Sequence, residues 1–248
     1  MGMFLDSLGL KEWESDPLAI YSLLLQAEQE EGADYLYKTC KMDNGLEFVG
    51  RLDKKGGAAA VIGVDAHMTG TCIWEGYPVM SLGNTAELPA FLCSSADGHG
   101  AFIVNMIHLG LYPGKITEKT LLKMQVCGFP RQMDIYKDRK DFEQRTRPPY
   151  PVDKTVYPYA YLRSLDTSAP SAVRKKYDEV KLFNSCCGVI GKVRDFTIGS
   201  SATVCHAAMM DTMFGSIELI YSDANITSGP QPGNYVSASV FVSADVLF

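Results

Sequence analysis

The chain has 248 residues, 46% hydrophobic and 21% charged, a globular balance that excludes a disordered or fibrous protein and suits one large domain or two small ones. A formal net charge of −6 excludes a general nucleic-acid or anionic-membrane binder, because counterion-release binding needs a basic surface. Seven scattered cysteines without a C-x-x-C pair exclude a metal-finger framework and predict reduced, buried thiols in a cytoplasmic, reducing compartment.

Asp6, Lys11, Glu12 and Glu14 interrupt the N-terminal apolar stretch, so no secretory signal is expected there. No apolar run approaches the ~20 residues that span a bilayer, and no membrane partner is expected. Residues 1–15 read as an arm. Asp16-Pro17 starts a first helix, with Asp as N-cap and Pro at the first helical position, and Gly32 is its expected stop. Glu28, Glu30 and Glu31 then fall in the last turn, against the helix dipole. Residues 1–32 thus form an arm and helix, and residues 33–248 a single β-rich domain.

From Tyr35 the pattern is that of strands. Leu46–Leu52 follows a turn at Asp43-Asn-Gly45, and Lys54-Lys-Gly-Gly57 separates it from the apolar strand Ala58–Val64. Thr71–Trp74, Pro78–Leu82 and Ala101–His108 are further short strands. Thr117 caps a second helix that Gly128 and Pro130 end, with Ile116 packing on Leu121 as a staple. Residues of about 131–160 read as an irregular loop, carrying Arg139, Lys140, Arg145 and Arg147 into Pro148-Pro-Tyr-Pro151. Ser168-Ala-Pro170 starts a third helix with Val173, Tyr177 and Val180 inward. Residues 200–214 fit helix and strand equally well.

The strongest structural pattern closes the chain. Ser216–Tyr221 is strand-like, a turn-rich segment follows, and then Val236, Ala238, Val240, Val242, Ala244 and Val246 alternate with Ser237, Ser239, Ser243 and Asp245. Side chains two apart share a face of a strand, so the Val/Ala row faces a core. The expected fold is α+β and β-rich, an antiparallel sandwich or jelly-roll-like core with two to four helices.

Two groups of residues could carry chemistry. Asp65-Ala-His67, Asp97-Gly-His99 and His108 could present carboxylates and imidazoles from neighbouring strand ends to a transition metal, although Asp-x-His is also common among satisfied polar residues. Cys187 beside Gly188 could be a nucleophile on a tight turn, with His206 as base and Asp211 orienting it. Tyr157-Pro-Tyr-Ala-Tyr161 reads as a strand with one aromatic face. No phosphate-binding glycine loop is present.

Residues 215–248 resemble the closing strand pair of jelly-roll coat proteins of picorna-like RNA viruses, which also end on an alternating strand running to Asp, an apolar residue and Phe. The resemblance implies a structural, self-assembling shell subunit, a homo-oligomer without cofactor or catalytic residues. Self-association is expected through a free edge and the mildly polar face of the terminal strand. An acidic first helix and a basic 139–147 loop are expected to supply complementary charge. The alternative is a metal- or cysteine-dependent enzyme of hydrolase type built on the groups above.

Overall fold

The computed structural model describes residues 4–10, 17–54, 60–83, 89–148, 153–198 and 203–248. Residues 4–10 are no free arm: Phe4, Leu5, Leu8 and Leu10 are buried. Helix α1 (Pro17–Leu25) has Pro at its first position as expected, but stops well before Gly32. The acidic run instead forms strand β1 (Glu28–Glu31), antiparallel to β2 (Tyr35–Lys41). Gly32 serves that hairpin rather than a helix end. A Cβ there would lie 2.7 Å from the Tyr37 ring and 2.9 Å from the Gly110 carbonyl. The Asp43–Gly45 turn holds, with Asn44 Oδ1 accepting from Leu46 N at 2.9 Å, and leads into β3 (Leu46–Asp53). Strand β4 (Val61–Met68) runs further than expected and carries Asp65 and His67 within the strand, not in a loop after it. Residues 55–57 of the Lys/Gly turn lie outside the described residues.

The two short strands expected at 71–82 are one, β5 (Ile73–Ser81), and the register shift at Pro78/Met80 accommodates the proline. Strands β6 (Ala90–Ser95) and β7 (Ala101–Met106) follow. The expected second helix is instead the longest strand, β8 (Leu122–Tyr136). Thr117 N–H bonds to Thr120 Oγ1 and Thr120 N–H to Thr117 O, closing a turn that imitates a helix start. Beyond it Leu122, Met124 and Val126 alternate with Lys123 and Gln125, which is strand periodicity. Leu121, the expected staple residue, is exposed.

The region read as irregular is ordered by α2 (Arg139–Arg145), capped by Asp138, then β9 (Val156–Tyr157) and α3 (Tyr159–Ser164). Pro149–Val152 lie outside the described residues. Helix α4 (Ser171–Asp178) starts after Pro170 as expected, but buries nothing, and Val173 faces solvent. Strands β10 (Asn184–Thr197), β11 (Val204–Thr212), β12 (Gly215–Ser222) and β13 (Tyr235–Leu247) complete a β-rich α+β fold with four α-helices among the described residues. Among the described residues, no helix is long and apolar enough to cross a membrane.

The first four strands make an antiparallel sheet in the order β1-β2-β3-β4. The other nine form a mixed sheet in which the β10–β11 pairing closes a ring and the β8–β13 ladder runs across it. Two circuits therefore share β8 and β13, one through β5, β6 and β7, the other through β12, β11 and β10. Short parallel pairings, β12 on β8 and β7 on β13, join runs that are otherwise antiparallel. Pro130, which has no N–H to donate, sits where the β8–β13 register shifts between Ser239 and Val240.

As the alternation predicts, Val236, Ala238, Val240, Val242, Ala244 and Val246 all enter one core, inside the ring with Trp74, Phe102, Met124 and Leu219. The opposite face is not free. Phe241 and Ser243 are buried under a second core formed by residues 4–10, α1, β3 and β4. Nor is β13 an edge strand: β8 flanks it throughout, with β10 and β7 on its other side.

Each valine of that inner row contributes about 1.5–3 kcal/mol by burial. Val242→Asp would add an unpaired carboxylate opposite Gly128, so we expect it to abolish the cooperative thermal transition measured by circular dichroism. Ser239→Asp, at a half-buried position of the opposite parity, is expected to retain that transition.

Candidate functional site

Strand β4 ends the small sheet, and among the described residues its outer edge pairs with no strand. That edge stands against β8 and β13. At Met68 its backbone groups are met by side chains: the N–H bonds to Cys127 Sγ at 3.1 Å, and the carbonyl accepts from Gln125 Nε2 at 3.1 Å. Because the strand stands edge-on, both faces are covered. Val64, Ala66 and Met68 enter the second core, while Asp65 and His67 enter a polar seam.

Asp65 is ion-paired with the fully buried Arg51 and accepts from Asn105 Nδ2 at 2.9 Å. A buried pair adds little net stability, but losing one member strands a charge and costs roughly 3–5 kcal/mol. His67 Nε2 lies 2.5 Å from Gln125 Oε1, and its Nδ1 lies 2.9 Å from Ser243 Oγ. Burial pushes His67 down to about 4, outweighing the Gln125 hydrogen bond and the Asp245 charge.

Further along the seam His108 Nδ1 bonds to Asp245 Oδ1 at 3.0 Å and Nε2 meets Thr39 Oγ1 at 3.3 Å. Burial alone would lower His108. The Asp245 hydrogen bond and the charges of Asp245, Glu47 and Glu30 overcome it and raise His108 above the usual histidine value. Burial likewise opposes ionisation of Asp245, yet His108 holds its carboxyl below the ordinary range. Glu47, opposite His67 in the β3–β4 ladder, is raised by burial and only partly relieved by His108.

Ser243, His67 and Gln125 form a hydroxyl–imidazole–amide relay, but all three are buried. The relay links β4 to β8 and β13, the strands of the two sheets. A groove of about 460 Å³ lies elsewhere, lined by Glu75, Asp97, Lys123, Met213 and Phe214 among others.

The five residues proposed as metal ligands do not form one coordination set. Asp65, His67 and His108 share the seam, each with partners of its own. Asp97 and His99 lie in the exposed turn between β6 and β7, where Asp97 Oδ1 accepts from Ser95 Oγ at 2.6 Å and His99 N–H at 3.0 Å. Those bonds hold the Asp97 carboxyl below its usual range. Asp-Gly-His is thus a turn motif here. Among the described residues, no three His, Cys, Asp or Glu side chains gather as a metal site.

Cys187 and His206 do not meet either. Cys187 lies within β10, its thiol 3.5 Å from Ser237 Oγ and raised by burial. His206 sits on β11 opposite Asp195, eight residues further along β10, roughly 25 Å at strand spacing. It is held by Asp195 at 2.8 Å and Asp223 at 3.0 Å and stacks on Tyr221. Asp211 accepts from Ser216 Oγ and lies near Lys154. Gly188 marks close packing, not a tight turn: a Cβ there would lie 2.5 Å from the Asp211 carbonyl oxygen.

Arg51, Glu47, Asn105, Gln125, Ser243 and Asp245 escaped sequence reasoning, because single polar residues inside strands look like solvent-facing positions. The one available hint was Glu47 and Arg51 sharing a parity within an otherwise apolar strand. Comparison of the chain with protein-family models, curated proteins and solved structures finds no match.

Because His108 is raised in the fold, the stability it contributes is complete below the unfolded value of about 6.5 and is lost as pH rises through the folded value. Urea unfolding midpoints of wild type should therefore carry a decline above about pH 6.5 that His108→Gln removes. All seven cysteines are free and only Cys40 is not buried. Ellman's reagent should accordingly titrate at most one thiol in the native protein and all seven after denaturation without reductant.

Proposed function

We propose that this chain is a structural, self-assembling subunit of the shell or coat type, as the resemblance of residues 215–248 implies. The observation that carries the reading is a set of exposed apolar side chains on and beside β5, β8 and α3. Val79 and Met80 at the end of β5, Leu121 before β8, and Leu162 and Leu165 on or just after α3 are all solvent-exposed, the last two at 54% and 57%. The pieces meet at Met80, whose Sδ receives the Tyr161 hydroxyl at 3.5 Å. A shallow groove bounded by Pro78, Phe91, Ile116 and Glu118 lies beside them.

Exposed apolar side chains grouped in this way mark an interaction surface more often than isolated ones do. The occupant we assign is a second copy of the chain. Symmetric association is the usual outcome where such a surface matches itself.

The charge contact expected between the acidic first helix and the basic 139–147 loop would be made by different elements. The acidic residues form the exposed strand β1, and the loop is largely α2, whose Arg139 and Arg145 are neutralised by Glu143, Asp153 and Asp141. An acidic edge strand discourages edge-to-edge addition. Assembly therefore depends on the exposed apolar side chains.

Sedimentation velocity across a concentration series should show reversible association. Met80→Glu and Leu162→Glu should each weaken it at least about tenfold, that is by about 1.4 kcal/mol, without lowering the thermal midpoint. A strict monomer at high protein concentration and low salt would remove the proposal.

A further inference from the structure

The small sheet meets the ring in two places: Tyr37 and Val49 pack on Ile107, with Ala33 N–H bonded to Gly110 O, and the edge of β4 meets side chains of β8 and β13, of which Gln125 is the hub. Its amide N–H groups go to Met68 O at 3.1 Å and Val126 O at 3.2 Å, which turns Oε1 toward His67 Nε2. The imidazole proton must then sit on Nε2, leaving Nδ1 to accept from the Ser243 hydroxyl. A second proton can bind only at Nδ1. What faces it there is the Ser243 hydroxyl at 2.9 Å and the Cys127 thiol at 3.6 Å, a thiol that burial keeps protonated.

The charges around His67 are committed to other groups. On its own strand Asp65 is bound by Arg51 and Asn105. On β13 Asp245 is bound to His108, itself a cation when protonated. On β3 Glu47 is a buried carboxyl that burial discourages from ionising. Among the described residues no carboxylate hydrogen-bonds to His67, and its side chain is fully buried. A cation formed there has only the distant Asp245 charge to offset its burial, at the point where the two sheets join.

We propose that the four-stranded sheet is an acid-released flap: a proton on His67 Nδ1 breaks the Gln125–Ser243 seam, and β4 leaves β8 and β13 while the ring stays closed. The ring has the means to stay closed, since both its circuits close through the long β8–β13 ladder and its inner core contains no residue of the small sheet. Release would uncover the apolar surface now shared by Phe48, Ala66, Met68, Cys127, Phe129 and Phe241. The sign follows from burial of the imidazole. The open state takes up a proton near the free value of about 6.5 and the closed state only far below it, so acid favours opening. His108 works the other way, because protonation strengthens its bond to Asp245.

Hydrogen exchange of the full-length chain, followed by mass spectrometry and corrected for intrinsic rates, tests this between about pH 7 and about pH 4.5. Peptides spanning 46–53 and 61–68 should lose protection at least about tenfold on acidification, while those spanning 122–136 and 235–247 keep theirs. The loss should vanish in His67→Gln and persist in His108→Gln. Should His67→Gln fail to fold, the imidazole Cε1–H resonance of wild-type His67 is expected to titrate at the pH where protection is lost. Uniform loss over all strands, unchanged protection to the acid limit, an equal loss in His67→Gln, or a His67 titration unrelated to the opening would each overturn the proposal.

Discussion

The arrangement depends on one requirement: the bare edge of β4 is buried, so its backbone groups need partners that no neighbouring strand supplies. A buried amide or carbonyl without a partner costs about 1–3 kcal/mol, a large part of what holds any domain together. Gln125 and Cys127 answer for Met68. They can do so only because β8 presents them on the outer face of the ring, opposite in parity to Leu122, Met124 and Val126, which fill its inside. Inner core and outer seam are thus two faces of one strand, and a slip of one residue in β8 would exchange them.

The β8–β13 ladder carries this further. Both circuits of the large sheet close through it, so its register sets which side chains enter the inner core and which meet the small sheet. On β13 the inner row is Val and Ala throughout, whereas the outer row changes character along the strand. Phe241 packs in the second core, Ser243 reaches His67 and Asp245 reaches His108. One terminal strand therefore serves two cores and anchors two histidines whose preferences oppose each other. Burial favours the neutral form of His67, and the Asp245 carboxylate favours the charged form of His108 against its burial. Their opposition makes the seam's stability a narrow function of pH.

The same sealing divides the side chains by exposure. The imidazole, hydroxyl and amide of the seam are removed from solvent, while leucine, valine and methionine side chains are left exposed. The tyrosines of the 157–161 segment are split in the same way, Tyr161 buried and Tyr159 exposed. Tyr157 and Tyr159 sit edge to face beside Tyr177 at the start of the α3–α4 flank, forming part of a rigid aromatic surface instead of one face of a strand.

Sequence by itself determined the class of the fold, the terminal strand with its inward Val/Ala row, the Asp43–Gly45 turn and the start of α1 at Pro17. These are local matters, decided by period-two alternation and by residues whose backbone preferences act within a few positions. Three things were decided only by tertiary structure. The capping pattern at Thr117 closed a turn instead of a helix, because residues 122–136 gain a full ladder with β13 by lying extended. Glu28–Glu31 left the helix for a hairpin because β2 offered backbone partners. Of the seam, the sequence marked Asp65, His67 and His108 as a group but not their partners, because Glu47, Arg51, Asn105, Gln125, Ser243 and Asp245 lie on separate strands and each resembles an ordinary surface residue. Burial turned them into a network, and burial is a property of how sheets stack, which no stretch of sequence contains.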